Sequence, residues 1–300
     1  MGCRRIALRI PGIPLLLALA LSGCGGVASF DTPFTMYTSI VSADLNGDGR
    51  VDIAMSSSYL SGPPPHPGHA VVLLQNPAPA DGFSPSVRYD TGNDPDFLLV
   101  GDIDGDGRSD IAVTTNAGVY TLIQNGSSPG IFLPAISYAA GSQPTSIAVG
   151  GLNGDGRPDL ALANYGSPDG FIKASASILL QDPTDPGKFR SATDYSTGFR
   201  SSSIAIGDLD GDGMMDLAVA NPVYSGSKGS ISILLQDTGN AGAFLPAANY
   251  PGISRPLSVA IADLNGDGNA DIAVADDGAL VYYQDPVRNG IFSSPIRIGP

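Results

Sequence analysis

The chain has no glutamate and no tryptophan; all 29 of its acidic residues are aspartate. The missing glutamate removes the bidentate ligand that closes an EF-hand loop. The missing tryptophan removes the largest aromatic platform on which a sugar ring could stack. Only two cysteines occur, Cys3 and Cys24, so the chain beyond residue 24 has no disulfide and no thiolate for a soft metal. Histidine is equally scarce, His66 and His69 being the only two. Lysine and arginine total 15 against those 29 acids, for a formal net charge of −14. With no basic patch to meet phosphates, nucleic acid is excluded as a partner. No stretch reaches the roughly 20 apolar residues that a membrane-spanning helix needs.

The N-terminal segment has a different character. Arg4, Arg5 and Arg9 precede a short apolar run from Ile13 to Leu21, and Leu21-Ser22-Gly23-Cys24 closes it. A basic flank, a short apolar run and small residues at its end read as a signal peptide over 1–23. The ending resembles the lipobox of bacterial lipoproteins. That resemblance implies an acylated Cys24 as the new N-terminus, a short tether over 24–33 and display on an envelope membrane, outer membrane or cell surface. The membrane would then be met through the lipid alone. An ordinary cleaved secretory signal is the alternative. Arg4-Arg5 matches a twin-arginine signal poorly.

Internal repetition organises the remainder, 34–300. Five segments align, starting at Asp44, Asp102, Gly151, Asp208 and Asp263, with spacings of 58, 49, 57 and 55 residues. In the third unit Thr145–Val149 alternates as a half-buried strand does, and Asp159–Ala163 and Ser175–Leu180 read as second and third strands. Lys188–Tyr195 reads as a fourth. Tyr120–Ile123, Ile231–Leu234 and Leu280–Tyr283 are third strands elsewhere. Glycine (39) and proline (25) punctuate these runs as turns. No sustained helical period follows the signal. The expected fold is all-β: a β-propeller of four-stranded blades with five repeats visible, because single sheets bury no core until they stack. Pro33–Thr38 and Ile291–Ile298 add candidate fourth strands, six in all, so one of them could close the ring across the chain ends. An incomplete larger ring is the alternative.

The segment opening each repeat has the form Asp-x-Asp/Asn-x-Asp-Gly-x-x-Asp. Sixteen of the 29 aspartates fall in these five segments. Side-chain oxygens at positions 1, 3, 5 and 9 converge only in a tight coil, which Gly at position 6 permits. Ca²⁺ takes about six to eight oxygen ligands, usually including a backbone carbonyl from position 7. The first loop offers Asp44, Asn46, Asp48, the Arg50 carbonyl and Asp52. The second offers Asp102, Asp104, Asp106, the Arg108 carbonyl and Asp110. The third has Gly151 at position 1 and retains Asn153, Asp155, the Arg157 carbonyl and Asp159. The fourth offers Asp208, Asp210, Asp212, the Met214 carbonyl and Asp216. The fifth offers Asp263, Asn265, Asp267, the Asn269 carbonyl and Asp271. Up to five calcium ions are expected, the third bound weakly or not at all. Metal-free Asp/Asn/Gly turns are the alternative, but five acidic copies in register would repel unless neutralised.

The strand–loop–strand unit resembles the FG-GAP/VCBS repeats of integrin α-subunit propellers and many bacterial surface proteins, over nearly all of 34–300. The resemblance implies a propeller braced by calcium loops, with a rim or face that binds other molecules. The Phe-Gly and Gly-Ala-Pro elements of that family are not recognisable in this chain, and Gly151 breaks one loop.

No catalytic residue is assigned. His66 and His69 lie in a Pro/Gly-rich stretch that reads as a solvated loop between the second and third strands. No Gly-x-Ser-x-Gly elbow sits in an α/β pattern. The expectation is a non-catalytic binding or adhesion module whose ligand is a protein or a glycan. Two alternatives remain. One is a sugar-binding propeller using Tyr59, Tyr120, Tyr165, Tyr195, Tyr224, Tyr250, Tyr282 or Tyr283; the other is an Asp-dependent glycan-active enzyme.

Overall fold

A computed structural model describes residues 35–59, 66–77, 82–167, 171–223, 228–285 and 290–298. The signal segment, Cys24, Tyr224 and the side chain of Tyr59 lie outside them. Among the described residues no helix is long and apolar enough to cross a membrane.

The fold is all-β, a β-propeller of five blades, each an antiparallel four-stranded meander in chain order. Blade one holds β1 (Thr35–Ala43), β2 (Asp52–Tyr59), β3 (Pro67–Leu73) and β4 (Val87–Asn93). Blade two holds β5 (Leu98–Gly101), β6 (Asp110–Thr115), β7 (Gly118–Leu122) and β8 (Ile136–Ala139). Blade three holds β9 (Pro144–Gly150), β10 (Asp159–Asn164), β11 (Ser175–Leu179) and β12 (Thr193–Ser196). Blade four holds β13 (Ser203–Gly207), β14 (Asp216–Asn221), β15 (Gly229–Leu234) and β16 (Ala248–Ile253). Blade five holds β17 (Ser258–Ala262), β18 (Asp271–Asp276), β19 (Gly278–Tyr282) and β20 (Ile296–Ile298). First strands of successive blades lie against one another and line the axis, whereas the fourth strands are mostly exposed at the rim.

Three expectations are corrected. Thr35–Thr38 belongs to β1, a first strand paired along β2, and Ile296–Ile298 is the fourth strand of blade five. There are therefore five fourth strands, not six, and no described sheet mixes the two chain ends. In blade three the fourth strand is only Thr193–Ser196, because Phe189 is drawn into an isolated bridge with Gln181. His69 is not in a solvated loop: it lies in β3 and is largely buried, with Nε2 3.2 Å from Asp90 Oδ1.

Period-two alternation gives every blade two unlike faces. In β14, Leu217 and Val219 face blade three, while Ala218 and Ala220 face blade five. In β10, Leu160 and Leu162 face blade two, and Ala161 and Ala163 face blade four. Large branched side chains on one blade thus enter the space left by alanines on the blade before it, and close packing follows from the size difference. Four apolar clusters result, between blades one and two, two and three, three and four, and four and five.

A second device repeats with them. Each third strand runs into a Gln that bridges to a Phe eight residues on: Gln75–Phe83, Gln124–Phe132, Gln181–Phe189, Gln236–Phe244 and Gln284–Phe292. The Phe then meets a Tyr on the fourth strand of the preceding blade edge to face, as in Tyr89–Phe132 at 5.6 Å and Tyr138–Phe189 at 5.5 Å. Tyr195–Phe244 and Tyr250–Phe292 repeat the contact.

Candidate metal loops and an opposed cleft

Each acidic segment joins the first strand of a blade to its second. Two glycines make the coil. In loop two Gly105 has φ +86° and Gly107 +83°, a region closed to most side chains, and the same pair recurs in all five loops. Loop four shows the hydrogen bonding: Asp208 Oδ1 accepts from Gly211 N at 2.7 Å and Oδ2 from Gly213 N at 2.9 Å. The chain wraps the first carboxylate so that the next side chains return toward it. Loops one, two and five repeat the pattern through Asp44, Asp102 and Asp263. Loop three has Gly151 in that place, and its remaining bonds run only through Asn153, Asp155 and Asp159.

Position 9 is the buried part of each loop. Asp52, Asp110, Asp159, Asp216 and Asp271 open the second strands and are inaccessible. One carboxylate oxygen accepts the position-2 N–H, as from Leu209 at 2.8 Å; the other accepts the N–H of the bridging Gln, as from Gln236 at 2.8 Å. These aspartates therefore tie the loop to the third strand, whatever else they bind.

Acidic oxygens converge in two loops. Asp102, Asp104 and Asp106 lie together in loop two, and Asp208, Asp210 and Asp216 in loop four, close enough in each to hold one metal ion. Among the predicted ligands, Asp110 and Asp212 stand outside these groups. In loops one and five an Asn occupies position 3, leaving fewer acids to converge. Burial pushes Asp216 up to about 7, and the Asp210 and Asp212 charges add to it against the two N–H donors. Burial likewise pushes Asp110 to about 6, aided by Asp104. Asp104 and Asp210 are raised by burial and by their acidic neighbours. Such carboxylates lack a counter-charge, and an all-oxygen set suits a hard cation. The residues fit Ca²⁺. At position 7, the side chains of Arg50, Arg108 and Arg157 pair with Asp48, Asp106 and Asp155 in the first three loops. Met214 and Asn269 carry no such charge.

The bridging glutamines were missed by reading for ligands. Gln124 Nε2 donates to Leu45 O at 2.7 Å, Gln181 to Ile103 O at 2.7 Å and Gln284 to Leu209 O at 2.5 Å. Each grips the position-2 carbonyl of the preceding blade's loop. A Gln followed by Phe at a constant spacing of eight, five times over, was the available signal.

At the opposite end of the blades lies a cleft of about 500 Å³ formed by blades one to three. Thr38, Asp94, Asp96, Asn116, Thr145 and Tyr165 are among its lining residues. Burial raises Asp96. The Arg200 guanidinium sits over the Tyr165 ring, 5.4 Å from its centroid. Of the other predicted tyrosines, Tyr195, Tyr250 and Tyr282 pack between blades and are not free for a ligand.

The sequence pattern described as "FG-GAP-like repeat" matches residues 102–162, 152–219 and 223–274, more than half of the chain. The chain belongs to the FG-GAP-like repeat family. Each matched stretch runs from one blade into the second strand of the next. No curated protein matches it. Among solved structures, an Agrocybe aegerita lectin that recognises non-reducing terminal N-acetylglucosamine is similar over 87% of this chain and 66% of its own, at 22% identity and TM-score 0.49. The V. cholerae biofilm matrix protein Bap1 is similar over 86% of this chain and 38% of its own, at 17% identity and TM-score 0.44. The FG-GAP-like chain thus spans less than two thirds of either protein.

Proposed function

We propose that this FG-GAP-like propeller is a calcium-loaded, non-catalytic binding module, held on a bacterial envelope membrane by a lipid on Cys24. The observation carrying the calcium reading is the meeting of Asp208, Asp210 and buried Asp216 in loop four, where burial and the neighbouring acids push Asp216 up to about 7. Asp102, Asp104 and Asp106 would hold a second ion, and Asp44, Asn46 and Asp48 with Asp263, Asn265 and Asp267 would hold others. A bound ion would neutralise the loop and fix the turn between the first two strands. The ligand is a protein or a glycan.

Adding calcium to chelator-treated protein should raise the melting temperature by several degrees or more, since an ion that binds only the native state stabilises it. Asp208→Ala should remove one equivalent in a calcium titration. Identical melting curves in EDTA and calcium would sink the reading. For the anchor, Cys24→Ser should move the protein from the membrane fraction to the soluble one.

The opposed cleft favours a second reading, a carbohydrate site, because Tyr165 lines it together with the polar Thr38, Asn116 and Thr145. Binding on a glycan array that is lost in Tyr165→Ala would support it; silence on every array would return the choice to a protein ligand. An Asp-dependent hydrolase would be revived by cleavage of a polysaccharide panel that fails when Asp94 or Asp96 is changed.

A further inference from the structure

Blades three and four are packed against a neighbour on both faces, yet one end of them is apolar and exposed. Phe171 and Ile172, in the connection from β10 to β11, are 89% and 53% exposed. Phe199, in the connection from β12 to β13, is 53% exposed. Both connections leave the strand ends remote from the acidic loops, so they share the end that carries the cleft. The Arg200 guanidinium lies over both of them, 5.4 Å from the Tyr165 ring centroid and 5.8 Å from that of Phe199. No other large apolar side chain among the described residues is as exposed as Phe171. Since neither blade has an open face, this exposure belongs to the end itself and not to a missing neighbour.

The charge beside these rings is opposite in sign to that of the chain as a whole. Lys173 follows Phe171 and Ile172, and Lys228 stands at the same end of blade four, just before β15; both are exposed. Arg50, Arg108, Arg157, Lys188 and Arg297 pair with aspartates. Lys173 and Lys228 have no ion-pair partner among the described residues. Apolar tips set among cations suit the boundary between lipid headgroups and acyl chains, where the rings leave water while the cations meet phosphates. We propose that this end of blades three and four rests on an anionic phospholipid surface. Phe171, Ile172 and Phe199 lie at the acyl boundary, and Lys173, Arg200 and Lys228 lie on the headgroups.

The course of the chain agrees with this orientation. β1 begins at Thr35, opposite Tyr59, and its early residues Met36 and Thr38 line the cleft. Cys24 precedes Thr35 by eleven residues, which span at most about 40 Å. An acyl chain on Cys24 and the exposed rings can therefore enter one bilayer. Which bilayer is met rests on the lipid-anchor reading, whereas the lipid-facing surface itself does not. Asp94 and Asp96 line the cleft on the side of the first two blades, and the same phosphates repel them. The contact is thus made by the edge of blades three and four, with the acidic loops at the far end in bulk water.

The chain has no tryptophan, so Phe171→Trp and Ile131→Trp each introduce its only indole, the first at the apolar end and the second at the acidic-loop end. Each full chain is prepared twice: with Cys24 and reconstituted, and with Cys24→Ser and added to preformed vesicles. The vesicles hold equal parts of phosphatidylethanolamine and phosphatidylglycerol with brominated acyl chains, in millimolar calcium. In both preparations the emission of Phe171→Trp should shift to shorter wavelength and be quenched, and that of Ile131→Trp should do neither. The added protein should bind phosphatidylcholine vesicles at least about tenfold more weakly. Lys173→Glu with Lys228→Glu should weaken binding to the anionic vesicles by a similar factor, at an unchanged melting temperature, because both side chains are exposed. A Phe171→Trp indole silent in both preparations overturns the proposal and leaves the patch to a protein ligand. Equal quenching at the two positions also overturns it, as does binding that ignores the charge reversal. The anchor is scored separately, by whether the Cys24 chain carries lipid. A response at position 171 in a chain without lipid keeps this surface and removes the anchor; a lipid-bearing chain silent at position 171 does the reverse.

Discussion

At the scale of single residues, the loops show one residue type in two environments. Asp44, half-buried, is held low chiefly by the Gly49 N–H, and exposed Asp267 is likewise held low by the Asn269 N–H. Asp216 and Asp110, a few residues along equivalent loops, are pushed up to about 7 and about 6 by burial. The sign of the resulting pH dependence follows. A carboxyl whose folded value exceeds its unfolded value binds more protons in the native state between the two values. In chelator, stability should therefore fall as pH rises from about 4 to about 7 and level off above that. The depressed groups act only below about pH 4 and in the opposite sense. Saturating calcium, which needs ionised ligands, should abolish the slope or reverse it. Urea melts across that range, with and without EDTA, measure both.

At the scale of elements, the spacing of acidic loops was enough to read the number of sheets and the order of their strands. The placement of the loops between first and second strands was legible for the same reason: glycines at fixed positions and β-branched runs on either side are local signals. The outer strands were less legible. Thr193–Ser196 and Ile296–Ile298 are short and polar because the rim faces water, so they carry no hydrophobic pattern to find them by. Thr35–Thr38 was misplaced because β1 is nine residues long, about twice the length of β5, so its start extends to where a separate strand was expected. The position-9 aspartates were read only as ligands, since sequence alone does not reveal that both oxygens are already bonded to backbone N–H groups. The bridging glutamines permit a comparison between equivalent elements. Gln181→Ala strands the buried carbonyl of Ile103 and the half-buried one of Pro158 and should cost about 1–3 kcal/mol. Gln75→Ala, on the half-buried face of blade one, should cost clearly less. Chemical denaturation of the two variants side by side decides it.

At the scale of the molecule, among the described residues each apolar cluster joins a blade to its sequence neighbour. Stability in such an array is close to a sum of blade and interface contributions. Blade three has an interface on both sides, and blades one and five have one each. Amide exchange should accordingly be slowest in β10 and β11 and faster in β2, β3, β18 and β19, with local opening starting at the two ends. Uniform protection across all five blades would contradict this.

The recurring match of branched residues to alanines also bears on ancestry. Blades three and four carry the same alanine pair, Ala161 and Ala163 or Ala218 and Ala220, under the next blade's branched residues, so duplication of such a repeat splices surfaces that already fit. Lineages carrying this unit can change their blade number in one genetic step, with no compensating substitutions at the new junction.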